Sequence, residues 1–162
     1  MPFAINSATG AITVNDAGDL NREQTASFSL SVTVSDGVQT SAAETVTINL
    51  SDVNDVTPVL TAGQSATIAE NLANGSAVLT LAATDGDVTA TTFQNWTITG
   101  GTGSTAFAIA SSTGAVTVLD SAQLNYETAT SFTLLVTVSD GVNASAAQTV
   151  TINLSDVNDV TP

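Results

Sequence analysis

The nonapeptide LSDVNDVTP occurs at Leu50–Pro58 and again at Leu154–Pro162, and each copy sets two aspartates beside an asparagine. The chain carries 15 carboxylates against one basic side chain, Arg22, and has no histidine, lysine or cysteine, for a formal charge of -14. Oxygen is therefore the only strong donor available in quantity. An all-oxygen set with flexible spacing suits a hard cation. Ca²⁺ takes ~6–8 oxygens from carboxylates, carbonyls and Asn side chains, whereas Mg²⁺ asks for a stricter octahedron. Zinc is poorly served without imidazole or thiolate.

Other chemistries find less support. A nucleophilic Ser or Thr has no visible base. A carboxylate pair could hydrolyse a glycoside, but the acids fall at strand ends and no cleft-forming insertion is present, so no enzyme is expected. Nothing could neutralise phosphates, which excludes nucleic acid as a partner. No apolar run approaches the ~20 residues needed to span a bilayer, so no membrane insertion is expected. Without cysteine no disulfide staples the fold.

The elements that must position these acids follow from the repeat. A shift of 104 positions aligns residues 1–58 with 105–162 without a gap, and 40 of the 58 positions are identical. A repeat of this length is a whole domain in an array. Residues 59–162 are expected to form one complete repeat, and residues 1–58 the C-terminal part of the one before. Alternating apolar residues mark strands in LTAGQSATIAE, SAVLTLAATD, WTITG, FAIASSTGAVTV, SFTLLVTVSD and QTVTINLSD. The break at Thr113–Gly114 brings the total to about seven. Turn signals recur at Asn74–Gly75, Asp85–Gly86, Gly100–Gly101 and Asp140–Gly141. The expected fold is all-β, a seven-stranded Greek-key β-sandwich of roughly 100 residues, in tandem copies joined end to end. Trp96 is expected in the core of the third strand.

Phase connects the acids to this fold. Phe132, Leu134, Val136 and Val138 face inward, and Asp140 comes next on the same face. Val46, Ile48 and Leu50 lead to Asp52 and Asn54, and Val150, Ile152 and Leu154 to Asp156 and Asn158. Leu79, Leu81 and Ala83 lead to Asp85 and Asp87. An unpaired acid leaving a core is costly, and a bound cation offsets that cost. By antiparallel alternation, Asp85 and Asp140 reach the end of the full repeat at which the linker Asp52–Val53–Asn54–Asp55 arrives. Glu23 lies at the facing end of the earlier half. The expected metal site is Glu23, Asp52, Val53, Asn54, Asp55, Asp85, Asp87 and Asp140, holding Ca²⁺ between successive repeats.

In order and spacing, several motifs resemble the cadherin repeat: Glu70–Asn71, Asp85–Gly86–Asp87, Leu124–Asn125–Tyr126–Glu127, the FxI…TGxV segment from Phe107 to Val116, VSD ending at Asp140, and DVND. The Ser/Thr/Ala-rich, lysine-free style resembles the cadherin-like extender repeats of giant bacterial adhesins of the RTX type. The resemblance implies an extracellular calcium-rigidified extender of a bacterial surface or secreted adhesin, with neighbouring repeats and Ca²⁺ as its partners. It implies that Asp36 serves a preceding junction, and that Glu70, Glu127, Asp156 and Asp159 serve a following one. The chain departs from the family at Asn21 and Asn125, where an aspartate is usual, and at Val56 and Val160, where an asparagine is usual. A smaller ion complement at the Asp52–Asp87 junction is expected in consequence. The alternative is a carbohydrate-binding β-sandwich with structural calcium, which requires surface aromatics. The 1–58 half lacks its first strands and is expected to expose sheet edges that could pair in trans.

Overall fold

Alternation of small β-branched and polar residues produces thirteen strands among the described residues, and no α-helix. The computed structural model describes residues 1–87 and 92–159; Val160 lies outside them. The chain forms two compact units, one built on Met1–Val53 and including Asp87, the other on Asn54–Gly86 and the described residues from Thr92 onward. Among the described residues, no helix is long and apolar enough to cross a membrane.

The second unit holds β5 (Val59–Leu60), β6 (Ser65–Ala69), β7 (Ala77–Thr80), β8 (Ala83–Thr84), β9 (Gln94–Gly100), β10 (Phe107–Ile109), β11 (Ala115–Val118), β12 (Ser131–Ser139) and β13 (Gln148–Ser155). One sheet has the order β6-β13-β12-β9, a second β10-β11-β7, and β5 pairs with β8. Nine segments replace the expected seven partly because SAVLTLAATD changes partners midway. Residues Ala77–Thr80 pair with β11, and Ala83–Thr84 pair with β5. At the changeover, the Gln64 side chain takes over the backbone of Ala82, accepting from its N–H at 2.7 Å and donating to its carbonyl at 3.0 Å.

Side chains of period two fill the space between the sheets. Phe132, Leu134, Val136 and Val138 of β12 are all buried, while Leu135 between them is 38% exposed. From the other sheet come Phe107, Val116 and Val118, and Trp96 of β9 is buried in the same core. Each such side chain contributes about 1.5–3 kcal/mol by leaving water. The β10–β11 hairpin turns at Gly114, whose φ of +71° leaves the Trp96 ring so close that an added Cβ would sit 3.0 Å from it. Half-buried Asp120 caps a 3-10 turn by accepting from the Ala122 N–H at 3.1 Å.

The first unit repeats half of this plan. Strands β1 (Phe3–Ile5) and β2 (Ile12–Val14) pair in the register of β10 and β11, and β3 (Ser27–Val32) and β4 (Glu44–Asn49) in that of β12 and β13. Phe3 and Phe28 meet edge to face at 5.2 Å, as Phe107 and Phe132 do at 5.6 Å. Each pair stands as a two-stranded sheet among the described residues.

Candidate metal centres

Asp140 emerges from β12 on the buried phase and folds the following turn around itself. Its Oδ1 accepts the Val142 and Asn143 N–H groups, both at 2.7 Å. The Asp140 N–H donates to the Asn143 carbonyl at 3.2 Å, and Gly141 takes a φ of +100° that favours glycine. The residue is only 7% exposed. Burial alone would raise its carboxyl. The N–H donors of Asn143 and Val142 outweigh that and hold it below the ordinary 3.8. Its Oδ2 is buried and has no hydrogen-bond partner. Half-buried Asp85, which follows β8, brings a carboxylate oxygen to within 4.8 Å of Asp140.

A second group lies wholly within the same unit. Glu70, 4% exposed at the end of β6, offers an oxygen within 4.8 Å of oxygens of Glu127 and Asp156, both exposed. Its position follows from the parallel pairing of β6 with β13, which sets Ala69 opposite Ser155 and carries both chains out of the sheet together. Glu70 Oε2 accepts the Tyr126 N–H at 2.5 Å, and Oε1 accepts the Val157 N–H at 2.7 Å. One buried carboxylate thereby anchors both segments that carry the other two acids. Asn125, standing where the related motif has aspartate, still caps its turn through Oδ1, which accepts the Thr128 N–H at 2.7 Å. The substitution removes a charge and keeps the loop that presents Glu127.

The remaining expected ligands fall as follows. In the first unit, half-buried Glu23 and Asp87 bring oxygens within 4.8 Å of each other. Asp52 is half-buried, and Val53 is 65% exposed. Asn54 is half-buried, with an Oδ1 that is shielded from water and has no hydrogen-bond partner. Asp55 is exposed. Asp36 is exposed, and its Oδ1 accepts the Gln39 and Val38 N–H groups at 2.7 and 2.9 Å; these bonds hold its carboxyl below 3.8. Asp159 is exposed and joins no three-acid group among the described residues.

The donor chemistry fits a hard divalent cation. Every side chain in these groups offers oxygen, and the unpartnered Oδ atoms of Asp140 and Asn54 are shielded acceptors that a cation would satisfy. An ion pair joins the exposed N-terminus to Asp19 at 3.7 Å, away from these groups. Sequence phase located Asp140 and Asp85 but overlooked the anchoring role of Glu70. The signal was present: Ala66 and Ile68 precede Glu70 on one face of β6, and the burial of Ile68 continues into the acid.

Comparison with known proteins identifies the fold that carries these groups. Residues 64–155, more than half of the chain, match the family model described as "Cadherin domain". The mouse "Cadherin EGF LAG seven-pass G-type receptor 1" is 35% identical over 160 residues, which is 97% of this chain and 5% of the relative. The Drosophila "Protocadherin-like wing polarity protein stan" is 35% identical over 168 residues, 99% of this chain and 5% of the relative. The chain thus spans about a twentieth of the length of these curated relatives. Among solved structures, the protocadherin gammaB7 EC3-6 cis-dimer superimposes with a TM-score of 0.75 at 24% identity, over 98% of this chain and 40% of that one. The human desmocollin-1 ectodomain does so with a TM-score of 0.71 at 26% identity, over 98% and 31%. The repeated Asp- and Glu-bearing strand ends stand on an all-β sandwich of this type, and the chain belongs to the cadherin family.

Proposed function

We propose that this chain is an extender segment of a bacterial surface or secreted adhesin, in which Ca²⁺ held between successive cadherin repeats stiffens the array. Residues 59–162 serve as one complete repeat. Glu23, the linker from Asp52 to Asp55, Asp85, Asp87 and Asp140 supply the ligands, with Val53 offering only its carbonyl. The observation that carries the reading is the buried Oδ2 of Asp140, which has no partner, on a carboxyl held ionised and within 4.8 Å of Asp85. Two like charges this close repel unless a cation lies near them. The Glu70–Glu127–Asp156 group supports the same use at a following repeat. The 40 identical positions out of 58 in the two copies and the lysine-free composition support an array of bacterial adhesin type.

A calcium titration of the chain with small-angle scattering and thermal melting tests the proposal. Calcium should narrow the distribution of interatomic distances and raise the melting temperature, because it binds the folded form preferentially, and EDTA should reverse both. Unchanged scattering and melting would sink the reading. The carbohydrate-binding alternative gains no support from the aromatics, since Trp96 is buried at 4% exposure and Tyr126 is half-buried.

A further inference from the structure

Val56 stands where the related motif has asparagine, and its side chain carries no oxygen for a cation. Its surroundings show what it does instead. Asn54, Val56, Pro58 and Leu60 share one phase of the linker. Leu60 and Pro58 are fully buried and Val56 and Asn54 half-buried, while Asp55, Thr57 and Val59 between them are exposed. An apolar row thus runs out of the core and ends on Asn54, whose shielded Oδ1 has no hydrogen-bond partner. The pairing of Val59 with Thr84 in β5 and β8 carries this row toward the turn after β8. There the Val56 isopropyl group covers Gly86. A Cβ added to Gly86 would lie 3.2 Å from Val56 Cγ1, 3.6 Å from Cγ2 and 3.7 Å from Cβ. Gly86 does not take a positive φ, so its backbone does not require glycine; the room it leaves is filled by Val56. The Asn143 side chain donates to the Val56 carbonyl at 3.4 Å, and the Asn143 N–H donates to Asp140 Oδ1 at 2.7 Å. All of these residues belong to the second unit.

We infer that Val56 is an ion-independent clasp: seated on Gly86, it fixes the linker on the second unit and places Asn54 Oδ1 before any cation arrives. The use of that placement rests on the calcium reading proposed above; the clasp itself does not. A contact here replaces a ligand. An oxygen-bearing side chain at this position would hold the linker only once an ion is bound. An apolar side chain gains by leaving water whether or not an ion is present. The linker is then ordered by the fold, and ion binding does not have to bear that entropic cost. Val56 is therefore a positioning residue. Its truncation should weaken calcium binding although its side chain offers calcium no donor.

The test uses the whole chain, first in EDTA. Amide relaxation should give backbone order parameters of about 0.85 at Asn54 and Val56, the value of rigid backbone. The Val56 methyls should show cross-relaxation to the Gly86 α-protons. Val56→Ala should take both linker residues below about 0.6, the flexible range, with the Trp96 melt still cooperative. Gly86→Ala alone crowds Cγ1, but combined with Val56→Ala its methyl refills the vacated space. The double variant should recover at least half of the order lost in Val56→Ala, a coupling that independent sites do not show. In calcium, Val56→Ala should raise the apparent Kd at least about threefold, as lost preorganisation requires. A flexible linker in the parent chain in EDTA, no cross-relaxation to Gly86, additive effects of the two substitutions, or a calcium affinity unchanged by Val56→Ala would each overturn the inference. If calcium leaves even the parent chain unaltered, the calcium reading falls, and the EDTA measurements still decide the clasp.

Discussion

Glu70→Gln separates an acid that builds a site from one that only lines it. The wild-type carboxylate accepts two backbone N–H groups, from Tyr126 and Val157, while 4% exposed. The amide keeps one acceptor and turns an N–H toward the other donor. A hydrogen bond to a charged group contributes about 1.5–3 kcal/mol, and an unsatisfied buried donor adds to the loss. For a domain of about 100 residues, 1 kcal/mol moves the melting temperature by about 4–8 °C. Glu70→Gln should therefore lower it by at least about 6 °C without any metal. Glu127, exposed in the same group, should behave differently. Glu127→Gln should cost no more than about 0.5 kcal/mol in EDTA, as is usual at the surface. If the group holds calcium, both variants should shrink the calcium-induced rise, and a tenfold weaker site forfeits about 1.4 kcal/mol of it at saturating ion. Fluorescence of Trp96, the only tryptophan and buried in the second unit, reports this melt without interference from the first. A Glu70→Gln protein that melts like its parent in EDTA would refute the anchoring role.

Two further outcomes follow from the same structure. Gly10 and Gly114 occupy equivalent turns with φ near +70°, but a Cβ meets nothing within 4 Å at Gly10 and the Trp96 ring at Gly114. Gly114→Ala should lower the Trp96 melt by a left-handed backbone cost of about 1–2 kcal/mol or more, and Gly10→Ala should leave that melt unchanged. The Asp140 carboxyl lies lower in the folded state than its ordinary 3.8. Its contribution is thus present above about pH 4 and is lost as the pH falls through the folded value. Acid titration followed by Trp96 fluorescence should show this loss. Asp140→Asn, which keeps an Oδ1 for the turn, should blunt it, and an unaltered acid profile would count against the assignment.

The sandwich was legible in the sequence because its signals are local. Alternation in SFTLLVTVSD fixes which side chains of β12 enter the core, and the same phase delivers Asp140 to a buried position. The burial of Trp96 was read from the same kind of pattern. The role of Glu70 was not legible in this way. It arises from β6 lying parallel to β13, a pairing between residues 86 or so positions apart whose direction no alternation records. The transfer of SAVLTLAATD from β11 to β5 was hidden for a similar reason. It depends on the distant Gln64 side chain replacing a strand as partner for Ala82.

The duplicated segment separates what local sequence encodes from what the rest of the fold supplies. Asp36 and Asp140 close the same turn with the same two backbone donors, and both carboxyls are held below 3.8. Only Asp140 is buried with a shielded second oxygen. The turn is therefore written into VSDGV itself, whereas the desolvation that makes a carboxylate demand a cation comes from strands distant in sequence. A motif search would score the two aspartates alike. On the proposed calcium use, a VSD aspartate is a strong ligand where its own sandwich buries it, as it does Asp140. That ties folding to function: the same strand packing that closes a sandwich also desolvates the carboxylate at its end.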